Sequence, residues 1–110
     1  MFGNAASLSV VGVLADVMHM ADAAGVPRTG VLEMLAKVNL NGPLTMRGAM
    51  MVSGTYEPNF TLDVARKDLR LMLETGEPST MPMLAALAVR MDERLEAGQA
   101  KEDFAILGKA

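Results

Sequence analysis

Apolar positions along this chain recur at three- and four-residue steps, the period of an α-helix. In the first segment Leu8, Val11, Leu14, Ala15, Met18 and Ala21 share one broad face, and Ser9, Asp16, His19 and Ala23 lie opposite. Ala5, Ser9 and Gly12 add a stripe of small residues that lets another helix approach closely. Gly25 and Pro27 then stop the pattern, because glycine accepts left-handed backbone and proline cannot continue a helix. The spacing predicts a second helix over residues 26–38, with Val31, Leu32, Leu35 and Val38 apolar and Pro27 in its first turn. Asn39 to Gly42 reads as a turn, and Pro43 opens a third helix that runs to about Val52. Residues 53–59 form the longest break, rich in loop chemistry.

A fourth helix, predicted over 61–75, has Leu62, Ala65, Leu69 and Met72 on one face. Asp63, Arg66, Lys67, Arg70 and Glu74 lie mostly on the other. A fifth, over 81–97, puts Leu84, Leu87, Ala88, Met91 and Leu95 at core spacing and ends at Gly98. A last short helix starts near Asp103 and is expected to turn Phe104 and Leu107 inward. No segment alternates apolar and polar residues as a half-buried strand would. The predicted fold is all-α, a bundle of five to six helices in one domain spanning residues 1–110.

Composition narrows the chemistry. A chain of 110 residues is one domain by default, and can bury roughly two-thirds of its unfolded surface. It has no cysteine, which excludes disulfides, a cysteine-ligated zinc and a thiol nucleophile. With His19 as the one histidine, a His-rich metal centre is excluded as well. A net charge of −3 argues against nucleic acid. The eleven methionines fall mostly at apolar helical positions, where core filling explains them better than copper. The apolar run from Ala5 to Val26 is long enough to span a bilayer. Asp16, His19 and Asp22 interrupt it, and no basic residue precedes Arg28 as a secretory signal would need. No membrane association is therefore expected, and a cytoplasmic location is. There is neither a Gly-x-Gly-x-x-Gly nor a Walker loop, so a complete nucleotide-dependent enzyme is not expected within these residues.

Few residues stand out as chemical groups. His19 has Asp16 and Asp22 three residues to either side. Such a trio drifts around the helix by about 60° per three-residue step, so it does not converge on one ion; no metal site is expected. Asp63 and Lys67 form an i,i+4 pair, beside Arg66, Arg70 and Glu74, that reads first as a solvated charged face. Asn4 opens an apolar helix and reads either as a cap or as a substrate hydrogen-bonding group.

Three stretches together shift these odds. Residues 60–74, Phe60-Thr61-Leu62-Asp63-Val64-Ala65-Arg66-Lys67-Asp68-Leu69 and onward to Glu74, resemble a motif of the β-hydroxyacid dehydrogenase family, which includes 3-hydroxyisobutyrate dehydrogenase and, more distantly, 6-phosphogluconate dehydrogenase. That motif is a Phe followed by a helix carrying Lys-Asp-Leu-x-x-Ala-x-Asp. Lys67-Asp68-Leu69 match it, while Met72 replaces the Ala and Glu74 the Asp. Phe2-Gly3-Asn4, leading into a long helix that closes on Ala23-Ala24-Gly25-Val26, is similar to the segment just after the family's catalytic lysine. The tail from Gly98 to Leu107, with Asp103-Phe104, is similar to the family's last helix.

The resemblance implies the helical C-terminal domain of such an enzyme, like that of 6-phosphogluconate dehydrogenase, with the N-terminal Rossmann domain absent from this chain. The family's catalytic motif is Gly-x-x-Gly-x-Gly-x-x-x-Lys-x-x-x-Asn. With Asn4 as its Asn, the lysine falls one position before Met1. By the same resemblance Asn4 is a substrate-site residue, Lys67 contacts the cofactor near its nicotinamide end, and Phe60 lines the same cleft. Asp68 is expected to orient the helix or the lysine, and His19 receives no role. The implied partners are NAD or NADP held by a Rossmann domain in cis or in trans, a small carboxylate-bearing 3-hydroxy acid, and a second copy in a homodimer. The isolated 110 residues are expected to be inactive. The alternative is a stand-alone helical dimerisation or interaction module without chemistry.

Overall fold

A computed structural model describes all 110 residues. Five α-helices run in order: α1 (Phe2–Ala24), α2 (Arg28–Leu35), α3 (Asn41–Ser53), α4 (Leu62–Glu74) and α5 (Pro82–Glu96). Short 3-10 turns span Pro78–Thr80 and Phe104–Gly108, and there is no strand. The all-α expectation holds, with boundaries shifted by one to three residues. The third helix starts earlier than Pro43, because the Asn39 side-chain oxygen accepts from the backbone N–H groups of Asn41 and Gly42.

The core lies between α4 and α5. Leu62, Ala65 and Leu69 of α4 meet Leu84, Ala88 and Met91 of α5, with Tyr56, Met81, Ala105 and Ile106 closing the ends. The α4 and α5 sets keep helical spacing, so each helix buries one stripe. Met72, expected on the inner face of α4, is part-exposed, and Leu73 packs on the core instead. In the tail, Ala105 and Ile106 are the buried pair rather than Phe104 and Leu107, which pack from the flank. A 3-10 turn repeats every three residues, so Phe104 and Leu107 share one side of it, the flank, while Ala105 and Ile106 between them face the core.

The first helix departs most from expectation. Leu8 and Val11, assigned to its inner face, are 74% and 65% exposed, whereas Asp16, assigned to its outer face, is 2% exposed. The cause lies at the start of α5. The first N–H groups of a helix have no intrahelical partner. Pro82 removes one of them, and α5 has no side-chain cap among its own residues. Asp16 Oδ2 accepts from the Leu84 N–H at 2.8 Å, a carboxylate supplied by another helix. Because α1 is apolar almost all round, this demand decides which side faces inward. Gly12 then lies against Met83, where a Cβ would sit 3.4 Å from the methyl carbon. Ala5 and Ser9 remain exposed. Length and composition alone would let α1 cross a membrane; here Asp16 ties it to the start of α5, and only Asp16 and Ala21 of the helix are buried.

Gly25 takes φ 71°, and the Val26 N–H reaches the Ala21 carbonyl, closing α1 as the sequence predicts. Across that turn Arg28 donates to Asp22 through Nε at 2.9 Å and Nη2 at 2.6 Å, which fixes α2 against the end of α1.

Candidate functional site

The region of interest is the start of α4, where the loop 54–61 and the tail 99–104 meet. Three backbone N–H groups at that start need acceptors. Leu62 N–H finds the Glu102 carbonyl (2.9 Å), Asp63 N–H the Ala100 carbonyl (3.1 Å), and Val64 N–H the Asp63 carboxylate (2.8 Å). Lys101 Nζ and the Thr61 hydroxyl each donate to Asp63 at 2.6 Å. These bonds, that from Lys101 foremost, hold the Asp63 carboxyl down at about 2. The α4 N-terminus is thus closed by the tail and offers no free anion cradle.

Asp103 organises the rest. Its side chain is fully buried and antiparallel to Thr61 across an isolated bridge. It accepts from the backbone N–H groups of Asn59 (3.0 Å), Phe60 (3.0 Å) and Ala105 (2.9 Å). Arg47 of α3 adds a fork, Nε at 3.1 Å and Nη2 at 3.3 Å. Burial pushes the Asp103 carboxyl up, but the three backbone donors and Arg47 outweigh it, and the net shift is downward. The Arg47 guanidinium also lies 4.2 Å over the Phe104 ring, and Phe104 meets Phe60 edge-to-face at 5.6 Å.

Lys67 is exposed on α4 and makes no hydrogen bond or ion pair. The expected Asp63–Lys67 pair does not form, because Asp63 is taken by Lys101. The neighbouring bases are engaged: Arg66 bridges to Asp92 of α5 at 2.8 Å, and Arg70 pairs with Glu74 at 2.9 Å. Asp68, expected to orient the helix or the lysine, makes no hydrogen bond with Lys67. Val64 and Leu71 lie three residues before and four after Lys67, on the same face and about half exposed. The outer face of α4 is therefore a free cation between two apolar side chains.

Asn4 is exposed in the first turn of α1, and α1 has no side-chain cap, so the capping role is not realised. No hydrogen bond joins Asn4 to Lys67 or Phe60; α1 packs mainly on α5 and α2. Phe60 is part-exposed, with one ring edge held by Phe104. The chain by itself does not assemble these three residues into one constellation. The trio around His19 diverges: Asp16 turns inward to α5 and Asp22 to Arg28, leaving the imidazole 4.0 Å from Asp22.

Sequence reasoning missed Arg47 and Asp103 as a pair. A signal existed, since Arg47 is the one charged residue in the predicted third helix. It also missed a groove of about 670 Å³ between α1 and α2, lined by Val10, Val13, Leu14, Val17, Leu32 and Leu35 among others. Its one polar residue, Ser9, already donates to the Ala5 carbonyl. A catalytic pocket needs convergent polar groups, so this groove suits an apolar helix rather than a polar substrate.

Comparison with known proteins adds two findings. A family model described as the NAD-binding region of NADP-dependent 3-hydroxyisobutyrate dehydrogenase matches residues 3–110. The chain is also 31% identical over 91 residues, 74% of its length, to the cytokine-like nuclear factor N-PAC of Aedes aegypti, of which it spans 16%.

Proposed function

The chain belongs to the NAD-binding family of NADP-dependent 3-hydroxyisobutyrate dehydrogenase, and from that membership we propose that it is the C-terminal helical half of an NAD(P)-dependent β-hydroxyacid dehydrogenase, of the 6-phosphogluconate dehydrogenase type. A Rossmann domain, in cis or in trans, faces α4 and completes the cleft. The substrate class is a small 3-hydroxy acid, and the setting is cytoplasmic.

The single observation that carries this reading is Lys67. A lysine left without an anion, on a helix whose other bases are all paired, is a cation available to a ligand. Val64 and Leu71 beside it suit a partner that is anionic in one part and apolar in another. A nicotinamide nucleotide has that character, and when bound it supplies the hydride acceptor or donor. The residues of this chain bind and orient. Lys67 sets positive charge at the cofactor's nicotinamide end, Phe60 walls the cleft and excludes water, and the free Asn4 amide hydrogen-bonds the substrate. The closed start of α4 and the all-helical fold leave the dinucleotide's phosphates to the Rossmann domain.

A second copy is the proposed occupant of the groove between α1 and α2. The first fifteen residues carry no charged side chain, and an uncharged helix beside an uncharged groove is self-complementary under two-fold symmetry.

The test is Lys67→Ala in the chain joined to a nucleotide-binding domain of the family. The kcat/KM for NADP should fall at least about tenfold, the loss of one charge-assisted contact, with little change in melting temperature. Unchanged kinetics would return Lys67 to an ordinary surface charge. A second reading, an interaction module without catalysis, is favoured by the relative whose name describes a nuclear factor. It predicts self-association with no turnover in the joined protein.

A further inference from the structure

Phe60 is not free to choose its position. Its N–H donates to Asp103, its carbonyl accepts from the Phe104 N–H at 2.9 Å, and its ring edge rests on Phe104. Both Asp103 and Phe104 are in turn held by one side chain. Arg47 forks onto the Asp103 carboxylate and stacks over the Phe104 ring, with its own side chain only 12% exposed. Four residues thus close a loop of contacts, and three of them lie on the strand-like loop and tail. The fourth comes from α3, which has no buried residue of its own and packs mainly on the tail turn.

An arginine is required by this geometry. The planar guanidinium offers two parallel N–H groups to a carboxylate while presenting its face to an aromatic ring. A lysine keeps the charge but can do only one of these at a time. Asp103 without that fork still has its three backbone donors, so the fold survives the exchange while the ring contact is lost.

We propose that Arg47 is a positioning residue that sets the Phe60 ring through Asp103 and Phe104, so that α3 governs how the cleft grips the nicotinamide end of the cofactor. The second half of this statement rests on the reading of Phe60 as a cleft residue. The first half does not.

The test uses the full chain labelled with 4-fluorophenylalanine. Its three phenylalanines give three fluorine resonances, assigned by Phe2→Leu, Phe60→Leu and Phe104→Leu. In Arg47→Lys the Phe60 and Phe104 resonances should move while Phe2 stays. Val31→Ala, a buried change in α2, should lower thermal stability yet leave all three in place. In the joined two-domain protein, Arg47→Lys should raise the KM for NADP about fivefold with kcat held within about twofold, as loss of uniform binding does. A Phe60 resonance unmoved by Arg47→Lys overturns the proposal, as does a moved resonance with unchanged KM. If the joined parent shows no turnover, the cofactor reading of Phe60 falls, and the fluorine resonances alone decide whether Arg47 sets that ring.

Discussion

Asp103 ties α3, the loop and the tail together through five side-chain hydrogen bonds. Truncation to alanine would strand the part-buried Arg47 guanidinium and three backbone N–H groups, that of Ala105 fully buried. Breaking a buried pair in this way costs about 3–5 kcal/mol, a large part of a domain's usual ~5–15 kcal/mol. Asp103→Ala should therefore lower the urea midpoint sharply, and an unchanged midpoint would show the network to be idle. The same carboxylate, with Asp63, predicts a pH dependence. Both have folded pKa values below their unfolded ones. Their stabilisation is present above the unfolded value, about 3.9, and is lost as pH falls through the folded value, which for Asp63 is about 2. In that window the unfolded chain binds more protons, so stability rises with pH. Urea midpoints between pH 2 and pH 5 should climb in the parent and climb less in Asp103→Asn; parallel curves would contradict the assignment.

At the scale of elements, the amphipathic helices were legible and the first helix was not. The charged outer face of α4 left only one stripe to bury, and Leu62, Ala65 and Leu69 fill it. Its Met72 was misassigned because it sits at the border of that stripe. In α1 the pattern gave little direction, since apolar residues surround the helix. Its inward side is set by the unmet N–H of Leu84, sixty-eight residues away, which no local spacing encodes. An isolated acid in an apolar run was the available hint. Asp16→Ala should cost about 1–3 kcal/mol, the value of an unsatisfied buried donor, and Asp16→Asn less, because an amide oxygen still accepts. Equal losses in the two variants would mean that the carboxylate acts by its charge alone. The outward side of α1 bears on assembly. Val10→Glu would set a charge in the apolar groove and should weaken self-association at least about tenfold by light scattering while helix content by circular dichroism holds. A parent that stays monomeric at high concentration would contradict the proposed dimer.

For the whole molecule, the helical period predicted an all-α chain, and the five helices without a strand agree. The site was legible only as a list of types and spacings. Lys67 and Phe60 were visible in the motif, but that Lys67 would be left unpaired depends on Lys101 reaching Asp63 across thirty-eight residues. No hydrogen bond joins Asn4, Lys67 and Phe60 within the chain, and the proposed cleft needs a second domain to bring them to one ligand. The central claim is that these 110 residues contribute a cleft face and no complete active site. The direct measurement is NADP-dependent oxidation of 3-hydroxyisobutyrate by the purified chain, alone and joined to a nucleotide-binding domain of the family. No turnover is expected from the chain alone, and turnover is expected when it is joined. Turnover by the chain alone, or none in the joined protein, would contradict the claim.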